Sequence, residues 1–278
     1  MQPLVSVVVP VFNGLPHLTA LVDSLLAQTY PNLEIVFSEG GGSDGSLDYL
    51  RTIDDPRIRI IQSPPGTSAA GNWTAASDAA TGEFTKLICQ DDLLYPEAIK
   101  QQVQDLVNNP NAVMGTAMRD IVDAHGHPIF RGRGLSGLTG DVLTGDHVIH
   151  ECFRQGTNVI GEPLAVLFRT EVLQASMPWL DDNPLMLDLS MYSKVAPSGD
   201  VALRRNSVGA FRVSNTSWST RLAKEQIEQT HRWQQEYADT HSPSSIDKAR
   251  GFLGRHFQTN LRRAAYAYLS ARGRLDAS

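Results

Sequence analysis

The sequence predicts an α/β fold, a mostly parallel sheet flanked by helices and followed by a helical C-terminal extension. Two patterns predict it. Leu4-Val5-Ser6-Val7-Val8-Val9-Pro10 is β-branched and almost wholly apolar, as a strand covered on both faces should be. After the Asn13-Gly14 turn, Leu15, Leu18, Leu21, Val22, Leu25 and Leu26 recur at helical spacing. The alternation repeats as far as Leu87-Ile88-Cys89-Gln90-Asp91-Asp92, an apolar run that stops on two adjacent carboxylates.

Each later element has its own signal. Tyr30-Pro31-Asn32 ends the first helix, and Leu33 to Phe37 forms the second strand before the loop Gly40-Gly41-Gly42-Ser43-Asp44-Gly45. Asp44 or Ser46 can cap the next helix, since either side chain accepts from free backbone N–H groups. Ile58 to Ile61 reads as a third strand, Ala69 to Ala80 as a small-residue helix, and Phe84 to Cys89 as a fourth strand. Right-handed crossovers between such strands leave Asn13, Glu39 and Asp91-Asp92 at the carboxyl edge of the sheet, where ligands bind in open α/β sheets.

Beyond a helix from about Pro96 to Val107 the pattern loosens. Val113 to Val122 is strand-like, His125-Gly126-His127 a turn, and Arg131 to Gly140 a glycine-rich loop without an assigned place. Leu164 to Phe168 suggests a strand, Asp188 to Val195 a short helix, and Val201 to Phe211 one or two strands. From about Thr220 the chain turns polar and helical, with a break at Thr240 to Ser245. These patterns divide it into residues 1–219, with halves 1–110 and 111–219, and an extension over 220–278. In the last helix Leu253, Phe257, Leu261, Ala265 and Leu269 make an apolar stripe among Lys248, Arg250, Arg255, Arg262, Arg263, Arg272 and Arg274. That helix can pack its stripe on the main domain or a second subunit, or lie on an anionic membrane.

Bulk composition narrows the function classes. With 278 residues, 41% hydrophobic and 19% charged, the chain can bury a core. A net charge of -6 gives no general attraction for nucleic acid. Cys89 and Cys152 are too few for a disulfide framework, and His125, His127, His147 and His150 lack a metal-ligand spacing. No signal peptide or run of about 18 apolar residues is present, so the expectation is a cytoplasmic protein, peripheral at most.

Three stretches of motif occur in order: Val9 to Gly14, Gln28 to Ile35, and Ser38 to Ser46. Gly71-Asn72-Trp73, Thr81-Gly82-Glu83 and Gln90-Asp91-Asp92 continue them. This ordered set resembles the family 2 glycosyltransferases, an inverting group with a GT-A nucleotide-sugar fold. The resemblance implies a donor site at Pro10, Phe12, Asn13, Glu39, Asn72 and Asp91, with Glu39 at the position that recognises the base, where Asp is usual. It implies a divalent cation, Mn²⁺ or Mg²⁺, with Asp92 as ligand and Asp91 nearer the ribose; Cys89 stands where the fuller motif has another acid. It implies Asp188 as general base, with Asp181 and Asp182 as competitors. Arg212 and Ser217 fall in the segment that closes over the donor, where Ser214 replaces a common His. Trp73 and Trp218 can stack on a sugar or serve the core.

The expected activity is transfer of a sugar from a UDP- or dTDP-type donor to a hydroxyl of a saccharide or lipid-linked glycan, in bacterial surface polysaccharide synthesis. Two rivals remain. A dinucleotide oxidoreductase would need G-x-G-x-x-G after the first strand, where the sequence has Pro10-Val11-Phe12-Asn13-Gly14. A catalytically silent nucleotide- or carbohydrate-binding module would keep the loops and lose turnover.

Overall fold

The computed structural model describes residues 2–15, 17–64, 66–215, 217, 220 and 225–276. In chain order the elements are β1 (Val5–Val11), α1 (Leu18–Leu26), β2 (Leu33–Glu39), α2 (Ser46–Arg51), β3 (Ile58–Gln62), α3 (Ala69–Asp78) and β4 (Phe84–Leu87). There follow β5 (Leu93–Leu94), α4 (Ala98–Asn108), β6 (Ala112–Val122), β7 (Pro128–Arg133), β8 (Val142–Thr144) and α5 (Gly145–Gln155). The chain continues through β9 (Val166–Arg169), α6 (Thr170–Ser176), α7 (Leu187–Val195), β10 (Asp200–Arg212), α8 (Gln226–His241) and α9 (Ser245–Ala271).

One ten-stranded sheet runs through the molecule in the order β3-β2-β1-β4-β9-β6-β10-β5, with β7 beside β6 and β8 beside β10. β1 pairs in parallel with β2 and β4, and β2 with β3. Alternation along β1 sends Val5, Val7, Val9 and Val11 into the layer under α1 and α4, while Val8 joins Val36 and Leu87 in the layer on the other face. Both faces are covered around β1, which is why that strand reads as an almost unbroken apolar run, whereas β3 is only partly buried and β4 buries Thr85 and Lys86.

The second half is mixed. β9 pairs antiparallel with both β4 and β6, and β5 antiparallel with β10. No crossover helix is needed to bring an antiparallel strand into place, and β9 is entered directly from a 3-10 turn at Pro163–Ala165. The stretch read as one or two strands is the single strand β10, which absorbs register shifts against β6 around Ser207. The glycine-rich segment without an assigned place begins inside β7, the outer arm of a hairpin turned at His125-Gly126-His127.

The apolar stripe of the last helix behaves differently from a packing face. Of that stripe Leu269 is buried, whereas Leu253, Phe257 and Leu261 are at least half exposed. A step of four residues advances about 40° past a full turn, so such a stripe winds from one side of a long helix to the other. The packing face of α9 is instead made close by glycine: a Cβ at Gly251 would stand 2.6 Å from the Phe153 carbonyl oxygen, and one at Gly254 2.3 Å from that of Gln155.

The carboxylate turn depends on β5 lying against β10. Leu94 faces Gly209 there, and a Cβ on Gly209 would meet the Leu93 carbonyl oxygen at 2.2 Å. Gly209→Ala should therefore cost about 1–3 kcal/mol of stability through overpacking, read as a lower denaturation midpoint. An unchanged midpoint would show that β5 can shift without loss.

Candidate functional site

The carboxyl ends of β1 and β4 and the start of α3 open into one cavity of about 670 Å³, closed on the far side by the turn before α7 and by α8 and α9. Its near wall is built by reciprocal bonds between loops. Phe12 donates its backbone N–H to Gln90 Oε1 at 2.8 Å, and Gln90 Nε2 donates to the Phe12 carbonyl at 2.9 Å. Asn13, held at a φ of 49°, accepts from the backbone N–H of Ser43 at 2.8 Å. Pro10, Phe12, Asn13, Asn72 and Trp73 line this wall, and Phe12 is 56% exposed. Trp73 stacks edge-on against Trp179 and serves both cavity and core. Trp218 lies outside the described residues.

Several expected donor residues act as braces. Glu39 is 2% exposed and accepts from the backbone N–H groups of Gly41 and Gly42, at 3.0 and 2.7 Å, so it holds the glycine loop and stands behind the cavity wall. Asn72 accepts from Ser38 and Ser63 and donates to the Val11 carbonyl, locking α3 to the first three strands. Asp44 accepts from the Leu15 backbone and from Ser46, the helix-start role expected for it. Asp181 accepts from the Ser68 hydroxyl and the Ala70 backbone at the start of α3.

The two carboxylates face different ways. Asp91 lines the cavity and accepts from Ser217 Oγ at 3.3 Å. Asp92 is fully buried: its Oδ1 accepts from the Arg212 backbone N–H at 3.0 Å, and its Oδ2 has no hydrogen-bond partner among the described residues. The sequence reading puts Asp92 at the cation and Asp91 beside the ribose, while the geometry brings Asp91 to the cavity surface and turns Asp92 into the protein. Burial, and then repulsion from Asp91, push Asp92 well above the usual carboxylate range, and burial raises Asp91 as well. Arg212 is 5% exposed and donates Nε to the Asp91 carbonyl and Nη1 to that of Ala124, so it too is a brace.

Among the described residues no group of three His, Cys, Asp or Glu side chains could enclose an ion. Two adjacent, poorly compensated carboxylates with one orphaned oxygen nevertheless suit a hard divalent cation whose remaining ligands come from phosphate and water.

A second charged cluster forms the opposite wall. Asp188, in the first turn of α7, accepts from Asn158 Nδ2 at 2.9 Å and from the Leu189 backbone N–H at 2.6 Å. Asn158 is itself fixed, donating to the Gly161 carbonyl and accepting from the Ile160 and Gly161 backbones. Glu162 pairs with buried Arg119. Burial opposes ionisation of Glu162, but the charge and hydrogen bond of Arg119 outweigh it and hold the carboxyl low. The Asp188 carboxyl is pushed up to about 7, by burial first and the Glu162 charge second.

Four wall residues escaped the sequence reading of function. Arg119 had a signal, a charge inside an apolar strand run; Asn158 looked like an ordinary turn residue. His17 lines the cavity with an Nε2 that has no partner among the described residues, and burial, then Arg212, pull its pKa down to about 4, leaving it neutral at pH 7. Arg262, one cation among many in α9, reaches the cavity and acts on Glu162.

A raised carboxyl pKa has a stability consequence. The contribution of Asp188 is intact below the unfolded carboxylate value and is lost as pH rises through about 7. Asp188→Asn should therefore raise the melting temperature at pH 8, and the gain should fade toward pH 4. A variant less stable than the parent at pH 8 would contradict this.

Residues 6–154 match the family described as Glycosyl transferase family 2. An uncharacterised glycosyltransferase of Rickettsia bellii is 31% identical over 145 residues, covering 51% of this chain and 21% of the relative. The chondroitin synthase of Pasteurella multocida is 27% identical over 157 residues, covering 56% and 16%. The chain thus spans less than half the length of these relatives. Among solved structures, Staphylococcus aureus TarS 1-349 in complex with UDP-GlcNAc superposes with a TM-score of 0.68 at 17% identity, covering 92% of this chain and 73% of TarS 1-349. The mannosyltransferase PcManGT of Pyrobaculum calidifontis, in complex with GDP-Man and Mn²⁺, gives a TM-score of 0.69 at 18% identity, covering 98% and 76%. With the family match spanning more than half of its residues and the sheet continuing beyond it through β9 and β10, the chain belongs to glycosyl transferase family 2.

Proposed function

We propose that the protein is an inverting, metal-dependent hexosyltransferase. It moves a sugar from a UDP- or dTDP-type donor to a hydroxyl of a saccharide or lipid-linked glycan, in bacterial surface polysaccharide synthesis at the cytoplasmic face of the membrane. The observation that carries the reading is that Asp91, at the end of the nucleotide-side strands, and Asp188, with its raised pKa, line the same cavity. Relatives named chondroitin synthase and hyaluronan synthase support a saccharide product, and the TarS complex supports a uridine nucleotide.

In this reading the nucleotide lies along Pro10, Phe12 and Asn13, against the backbone that Glu39 and Asn72 hold in place. The diphosphate meets Asp91, with Ser217 orienting that carboxylate and Arg212 and Asp92 fixing the turn. A bound Mn²⁺ or Mg²⁺ would be held by Asp91, backed by Asp92, and would neutralise charge on the departing diphosphate. Asp188 takes the proton of the acceptor hydroxyl as its oxygen bonds to the anomeric carbon. The bond from that carbon to the phosphate oxygen breaks on the opposite face, its electron pair leaves with the nucleoside diphosphate, and configuration inverts. Arg119 and Glu162 set the charge around the base.

Incubation with Mn²⁺ and a panel of nucleotide sugars and saccharide acceptors should release nucleoside diphosphate. Asp188→Asn should lower kcat by about 10²–10⁴-fold with donor affinity kept. Donor binding without turnover, indifferent to that substitution, would instead mark a binding protein.

The pH profile offers a separate check on the base. The rate should fall with acid below about pH 7, as Asp188 becomes protonated. Asn158→Ala removes a donor that favours the carboxylate, so this limb should move to higher pH. A limb that stays in place in that variant would assign the base elsewhere.

A further inference from the structure

Among the described residues, half of the exposed large hydrophobic side chains lie on α9. Ile246, Leu253, Phe257, Leu261 and Tyr268 are each 50–67% exposed. Their spacing keeps them on one side of the helix, along roughly 33 Å. The close glycine contacts of Gly251 and Gly254 against Phe153 and Gln155 fix which side faces the protein, so the apolar side cannot roll inward.

Charge selects among the surfaces that could cover this face. From Ser245 to Arg274 the only acid is Asp247, which is ion-paired with Arg154, whereas the chain as a whole carries a net charge of -6. Helical geometry places Arg250 within the apolar face and Arg272 at its margin, and both are exposed. A second copy laid along the same face would bring these cations toward their own kind. An anionic bilayer would compensate them while taking up the aromatic and aliphatic side chains.

We propose that α9 is an in-plane membrane helix that seats the protein on anionic phospholipid. Its inner face carries Arg262 to the cavity wall, so the element lying on the lipid is also part of the enclosure that holds Asp188. Seating would place the acceptor side of the cavity next to the bilayer, where a lipid-linked hydroxyl would arrive. This last consequence rests on the transferase reading; the docking itself does not.

Sedimentation with phosphatidylglycerol vesicles and with phosphatidylcholine vesicles, without donor or acceptor, tests the docking. The protein should pellet with the anionic vesicles and stay in solution with the neutral ones, and raised salt should weaken the association. Substituting Leu253→Ser, Phe257→Ser and Leu261→Ser together should weaken it at least about tenfold without lowering the melting temperature, because the three side chains are exposed. Arg250→Glu with Arg272→Glu should weaken it as well. The proposal fails if anionic vesicles do not retain the protein, or if the triple variant is retained as well as the parent. It also fails if sedimentation velocity shows a dimer that the triple substitution dissolves. Since no turnover is measured, a failure here leaves the transferase reading standing, and loss of turnover leaves the docking standing.

Discussion

Two neighbouring carboxylates at the end of a buried strand are an electrostatic burden that the rest of the fold is arranged to carry. Desolvated like charges are expensive unless compensated. Here compensation comes from Arg212, whose backbone N–H reaches Asp92 and whose guanidinium crosses to the carbonyls of Asp91 and Ala124. One residue on β10 thereby ties the fourth strand of the nucleotide-side half to the β6–β7 hairpin. A lysine could supply the charge, but its single ammonium could not span these acceptors as a planar fork does. The compensation remains incomplete, since Asp92 Oδ2 stays orphaned and both carboxyl pKa values stay raised. The site is thus left short of positive charge.

The opposite wall handles charge in another way. Arg119 is committed to Glu162, and the pair leaves Asp188 beside a carboxylate that stays ionised. The Asn158 amide and the Leu189 N–H limit the resulting shift and fix the direction of the Asp188 oxygens. The cavity therefore brings together Asp91, one of a pair only partly compensated, and a single carboxylate whose basicity is raised.

The nucleotide-side half of the fold was legible because its signals are local. β1 is an almost unbroken apolar run, β2 to β4 keep enough apolar positions to read as strands, and the turn residues fall between them. The carboxylate motif was legible for the same reason, and so was Asp188 at a helix start. What a side chain does at a motif position was less legible. Glu39 and Asn72 sit where the motifs put them, yet spend their hydrogen bonds on neighbouring backbone and hydroxyls, because burial at a strand end leaves those groups as their nearest partners. Which of Asp91 and Asp92 faces the cavity depends on the turn between β4 and β5, which is set by pairing with a strand more than a hundred residues away. The exposed stripe of α9 could not be foreseen from periodicity, since its packing face is made by glycines, which carry no hydrophobic signal.

Those glycines also determine what kind of unit the C-terminal helices are. An extension held by apolar side chains could slide or detach with modest change, whereas backbone contact at Gly251, Gly254 and Gly156 admits one seating. In that seating Gln226 and Thr230 of α8 and Arg262 of α9 complete the cavity wall. The expected boundary at residues 219 and 220 thus separates two stretches of sequence that build one enclosure. One side of α9 thus shapes the cavity wall while its apolar side stays exposed.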